Sequence, residues 1–131
     1  MPLTLKEAQK MMQAAEACAN QLGIKVSISI VDGRGDLVAA ARMDGARFFT
    51  TDVARGKAMA SAIFGQPSAA FAERASMPVF QSLNLMHQGK FVFFQGALPI
   101  ARSGETLGAI GVSGGTAQQD EDVAKAGLSA L

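Results

Sequence analysis

Gly108-Ala-Ile-Gly-Val-Ser-Gly-Gly-Thr-Ala-Gln-Gln-Asp120 is the stretch whose reading decides the fold. Its first half is apolar and short, as in a buried strand. Gly114 and Gly115 then turn the chain directly into a helix start. Thr116 and Gln119 have the Thr-x-x-Gln spacing of a capping box, in which each residue satisfies an amide of the first helical turn. A helix start also offers free N–H donors to an anion, and glycines let a ligand approach them closely. Ser113, Gly114, Gly115 and Thr116 are therefore candidate ligand-binding residues. A plain tight connection between strand and helix would use the same glycines. The helix runs from about Ala117 to Ala130, with Asp120, Glu121 and Asp122 suited to the positive end of its dipole.

Working outward, Thr4 with Glu7 is a second capping box, opening a helix that ends near Leu22 with Gly23 as its left-handed terminator. Lys25 to Val31 alternates Val26, Ile28 and Ile30 with serines, the pattern of a half-buried strand. Asp32-Gly-Arg-Gly35 is turn chemistry, and Leu37 to Arg42 is its hairpin partner. Thr50 or Thr51 caps a second helix reaching about Ile63. Ser68 is placed as the cap of a short helix, Met77 to Lys90 reads as short helix plus loop, and Phe91 to Phe94 reads as a strand. Ala97 to Ala101 continues it beyond Gly96, and Ser103-Gly-Glu105 turns into Thr106 to Val112. At 131 residues the chain is one domain by size, spanning residues 1–131, with hairpin-joined strands interleaved with helices. Its expected fold is α+β, with a central antiparallel sheet and flanking helices. The glycine spacing does not match a dinucleotide-binding fingerprint.

Composition narrows the function classes. The 131 residues are 49% hydrophobic and 18% charged, with a net charge of +1 and neither Trp nor Tyr. That argues for a folded core and against nucleic-acid binding, which needs clustered phosphate contacts. No apolar run reaches membrane-span length, and no secretion signal is visible, so a cytoplasmic protein is expected. The single Cys18 forms no internal disulfide and fits a reducing compartment.

A set of motifs resembles the GlcG/HbpS family, which also includes the C-terminal domain of PduO-type proteins. It comprises Leu3-Thr-Leu-Lys-Glu-Ala8, Ile30-Val-Asp-Gly-Arg-Gly-Asp-Leu37 and Arg42-Met-Asp-Gly-Ala46. Lys57-Ala58 within Ala54 to Ala60, Gly96-Ala-Leu-Pro-Ile100, Ile110-Gly-Val-Ser-Gly-Gly-Thr116 and Gln119-Asp120 complete it. The resemblance implies a profilin-like fold and homo-oligomers. It also implies a small-molecule ligand, with haem or a related tetrapyrrole as the expected cofactor.

Single residues carry the remaining chemistry. His87 is the only histidine, which excludes a multi-histidine metal site within one chain and makes it the candidate axial ligand for haem iron. Arg42 and Lys57, with the amides of the glycine corner, are candidates to hold a carboxylate or a propionate. Alternatively, they pair with Asp32, Asp44 or Asp52. Asp32, Asp44 and Glu73 are the acid/base candidates should the chain be an isomerase- or deaminase-like enzyme of small organic acids. Aspartates before glycine more often cap their own turns. The cluster Phe91, Phe93 and Phe94 is assigned to the core or a subunit interface. A ligand-free assembly module is the third reading.

Overall fold

The computed structural model describes residues 2–131. Helix α1 (Leu5–Leu22) leads into strands β1 (Ser27–Asp32) and β2 (Leu37–Arg42). Helix α2 (Thr50–Phe64), a 3-10 turn at Ser68–Phe71 and helix α3 (Pro78–Met86) follow. Strands β3 (Ala97–Arg102) and β4 (Glu105–Ser113) and helix α4 (Ala117–Leu128) complete the chain. The strands form one antiparallel sheet in the order β2-β1-β4-β3. Two hairpins thus meet at the central β1–β4 pair, the α+β arrangement expected from the sequence.

Alternation along the central strands decides the layers. Ile28, Ile30, Ile110 and Val112 point to one face and bury against Ala8, Met11, Ala15 and Ala19 of α1 and Val123 and Ala124 of α4. On the other face, Val31 and Ala109 meet Ala58 and Ala62 of α2. That face is built from small groups. A Cβ on Gly111 would lie 2.2 Å from the Ala54 carbonyl oxygen, so α2 lies closer to β4 than any side chain at 111 permits.

Both capping boxes form as the sequence predicts. The Thr4 hydroxyl accepts from the Glu7 amide at 3.1 Å, the Glu7 carboxylate accepts from the Thr4 amide at 3.0 Å, and Gly23 terminates α1 at φ 72°. Arg102 of β3 forms an ion pair with Glu7, tying the start of α1 to the sheet edge. The Glu7 carboxyl is held below its ordinary value, first by the Thr4 amide and then by the Thr4 hydroxyl and Arg102.

Three local expectations are corrected. Neither Thr50 nor Thr51 caps α2; the cap position is Phe49, without a side-chain bond. The Thr50 hydroxyl instead donates to the Arg47 carbonyl at 2.7 Å and shares a 2.7 Å hydrogen bond with Ser27 of β1. Ser68 is no cap either: its hydroxyl accepts from the Ala97 amide at 2.9 Å, anchoring the start of β3. Phe91 to Phe94 is not a strand. Asn84 of α3 takes both backbone groups of Phe91, and the Val92 amide donates to the Gly56 carbonyl of α2. With both Phe91 groups and the Val92 amide taken there, this segment joins no sheet. Phe91 and Phe93 enter a cluster with Phe64, Phe71 and Phe80.

Candidate functional site

At the C-terminal end of β4, the glycine corner, the start of α2 and the loop after β2 enclose a hollow of about 540 Å³. Its floor is set by a buried charge. Lys57 is only 3% exposed; its ammonium donates to the Val112 carbonyl at 2.9 Å and to Asp120 Oδ2 at 3.1 Å. The other oxygen of Asp120 accepts the Gly115 amide at 2.8 Å. One carboxylate therefore joins α2, the corner and α4. Gly96 makes room for this arrangement: at φ 141° it leaves open a position where a Cβ would sit 2.7 Å from the Lys57 nitrogen. At Gly114 (φ 138°), a Cβ would lie 2.3 Å from the Lys25 carbonyl oxygen, so the corner closes only with glycine there.

These bonds revise what the corner offers. The Gly115 amide is taken by Asp120. The Thr116 amide is taken by the Gln119 side chain at 3.0 Å, and the Gln119 amide by the Thr116 hydroxyl at 3.1 Å. Ala117 and Gln118 have amides that lack an intrahelical acceptor, as in any first turn. Lys57 pairs with Asp120 rather than with Asp32, Asp44 or Asp52. Its charge is therefore balanced within the protein.

The expected grouping of Arg42 with Lys57 does not form. Arg42, at the end of edge strand β2, lines a different hollow of about 610 Å³ between α1 and β2, together with Asp44. Its guanidinium donates to the Ala46 carbonyl at 3.1 Å, bracing from behind the loop whose Ala46 and Arg47 line the first hollow. Ser113, Gly114 and Gly115 do line the first hollow; Thr116 is the exposed cap beside it. Asp32 caps its own turn, accepting the Arg34 and Asp36 amides at 2.9 and 3.0 Å. Glu73 is exposed in the turn before α3, and His87 is exposed at the end of α3, edge-on to Phe91 at 5.4 Å. Asp32, Asp44 and Glu73 therefore do not converge with Lys57 on one substrate position.

The sequence reading missed four participants: Lys25, Arg47, Phe49 and the structural role of Asp120. Lys25 and Arg47 supply the unpaired positive charge at the hollow, since neither forms an ion pair among the described residues. Phe49 and Phe94 supply its aromatic surface at 43% and 51% exposure, and Phe94 lies over the Lys57 ammonium at 5.8 Å. Arg47-Phe48-Phe49, a cation and two aromatics just before a helix, was the available signal. Phe94 thus separates from Phe91 and Phe93, which are core.

Fold and hollow together define a small three-layer α+β domain with a one-sided aromatic and cationic recess at a strand–glycine–helix corner. Residues 3–129 match the family described as haem-degrading protein HbpS-like, and the chain belongs to that family. It is 35% identical over 127 residues to an uncharacterised 15.0 kDa protein in the dhaT-dhaS intergenic region of Citrobacter freundii. That match covers 96% of this chain and 89% of the relative. The corrinoid adenosyltransferase PduO of the same organism is 32% identical over 133 residues, all of this chain but 39% of that enzyme. The crystal structure of a PduOC:heme complex superposes with a TM-score of 0.89 at 28% identity, covering 100% of this chain and 96% of the other. Among the described residues, no helix is long and apolar enough to cross a membrane, and no cluster of metal-ligating side chains occurs.

Proposed function

We propose that this chain binds haem or a related tetrapyrrole, with the hollow at the glycine corner as its site. The observation that carries the reading is the division of the hollow into a charge-balanced floor, aromatic sides and two unpaired cations. A flat apolar ring with acidic substituents needs that division: ring against Phe49 and Phe94, carboxylates toward Lys25 and Arg47. The hollow's volume lies within the range of small-molecule sites. Similarity to a PduOC:heme complex supports the same reading.

The chain's own residues divide the work. Lys57 and Asp120 hold the corner rigid, Arg42 braces the 43–47 loop, and the two exposed cations set the ligand's orientation. Haem, when bound, would supply an iron centre for ligand uptake or electron transfer. No His, Cys or Met lines the hollow, so the pocket fits the macrocycle better than it fits the iron. His87 is retained as the axial candidate, contributed by a second copy, because it does not line the hollow of its own chain. An oligomer is part of the proposal. Val79, Leu85 and Met86 of α3 are 64, 81 and 78% exposed, an apolar surface beside His87 that a second copy would cover.

Haemin titration of the purified protein tests the reading. The expected result is a saturable, stoichiometric Soret shift, weakened by Arg47→Gln and Lys25→Gln and altered in band position by His87→Ala. A featureless, non-saturating titration overturns it. An unchanged band with His87→Ala removes His87 as ligand.

A further inference from the structure

A third cavity, of about 360 Å³, opens further along α2, between the β1–β2 turn and the 88–92 segment. Its floor is apolar and only half covered: Val53, Met59 and Val92 all keep part of their surface accessible. Its rim carries three cations, Arg34, Arg55 and Lys90, and two carboxylates, Asp36 and Asp52. Arg34 leans toward Asp36 at 3.7 Å, an exposed pair in which the two charges offset each other. Arg55 and Lys90 form no ion pair among the described residues, although Asp52 stands one turn before Arg55 on α2.

The backbone beneath these cations is fixed. A Cβ on Gly56 would lie 2.5 Å from Val92 Cγ2 and 2.9 Å from the Lys90 carbonyl oxygen, so the 90–92 segment rests directly on the helix. The Val92 amide donates to the Gly56 carbonyl at 3.2 Å, and the Lys90 amide to the His87 carbonyl at 3.2 Å. The neighbouring Gln88 holds a left-handed backbone at φ 62°, a conformation that favours glycine. Two cations distant in sequence, Arg55 and Lys90, thus line one cleft, on a helix and a segment packed directly against it.

We infer that this cavity binds a small anion with an apolar body, of the aryl or branched-alkyl carboxylate class. The body covers Val53, Met59 and Val92, and the carboxylate meets Arg55 and Lys90, the guanidinium giving a two-pronged hydrogen bond. Val53 borders both cavities, but Arg55, Met59, Lys90 and Val92 line this one and not the first hollow, so the inference does not rest on the tetrapyrrole reading.

The test is a titration of methyl-labelled methionine protein followed by NMR at constant ionic strength, with the Met59 resonance assigned through Met59→Leu. Benzoate is the probe; benzamide tests the charge and inorganic phosphate tests the apolar body. The expected result is a saturable movement of the Met59 methyl with benzoate while Met12 and Met43, which line the α1–β2 hollow, stay in place. Arg55→Gln with Lys90→Gln should weaken benzoate binding about tenfold or more, the scale of a lost charge-assisted bond. Both residues are exposed, and dispersed spectra of the variant report its fold. No saturable movement, an equal response to benzamide, affinity unchanged in the double variant, or binding of phosphate without benzoate would each overturn the inference.

Discussion

The two faces of the sheet solve the packing problem in opposite ways. Toward α1 and α4, the central strands present Ile28, Ile30, Ile110 and Val112, and stability comes from large apolar area removed from water. Toward α2, they present Ser27, Ser29, Ala109 and Gly111, with Val31 as the one large residue, and area is exchanged for closeness. The close approach is what carries Lys57 to the end of β4, where it reaches Val112 and Asp120. The large-residue face therefore holds the fold, and the small-residue face positions the site. The two should respond differently to substitution.

The largest expected effect is on the small face. Gly111→Val drives a side chain into the backbone of α2 at Ala54 and Ala58 and should cost more than about 4 kcal/mol, the diagnostic range for a clash that cannot relax. Loss of the cooperative urea transition would show it. Lys57→Met leaves Asp120 buried without its partner and should cost about 3–5 kcal/mol. Lys57→Met with Asp120→Leu should recover part of that loss, and full additivity in the denaturation midpoints would contradict the coupling. On the large face, Ile110→Val removes one methylene and should cost only about 0.5–1.5 kcal/mol, because branched neighbours repack around it. A larger cost there would erase the contrast between the faces. Thr116→Ala removes the α4 cap, at about 1 kcal/mol, and should leave haemin binding in place if the exposed cap is outside the site.

The smallest effect concerns the edge where α1 meets β3. The Glu7 carboxyl is lowered in the folded protein, so the unfolded chain binds the extra proton in acid. Its stabilisation is complete at neutral pH and disappears as the pH falls through the lowered folded value. Glu7→Gln should flatten the acid limb of stability against pH without moving the neutral-to-basic limb. An acid limb as steep in the variant as in the parent would assign that slope elsewhere.

Much of this was legible locally. Thr4 with Glu7 and Thr116 with Gln119 announce their helices because a capping box is satisfied within four residues. The Ser/Ile alternation of β1 sets its two faces without any distant information. Phe91 to Phe94 misled because β propensity measures fit to a pleated surface, whereas Asn84 and Gly56 claim that backbone. Arg42 was grouped with Lys57 because both are cations near family motifs. Which side of an edge strand a long arginine takes depends on the loop carbonyl it finds, here Ala46.

By itself, the sequence determined the α+β class, the paired hairpins, the capped helices and the glycine corner, since each rests on interactions between near neighbours. Only the tertiary structure decided which charges remain free. Asp120 neutralises Lys57 across 63 positions, while Lys25 and Arg47 reach the hollow unpaired. The physical reason is that a charge's role depends on its partners in space. Those partners are set by how closely α2 lies on β4, which no local pattern encodes.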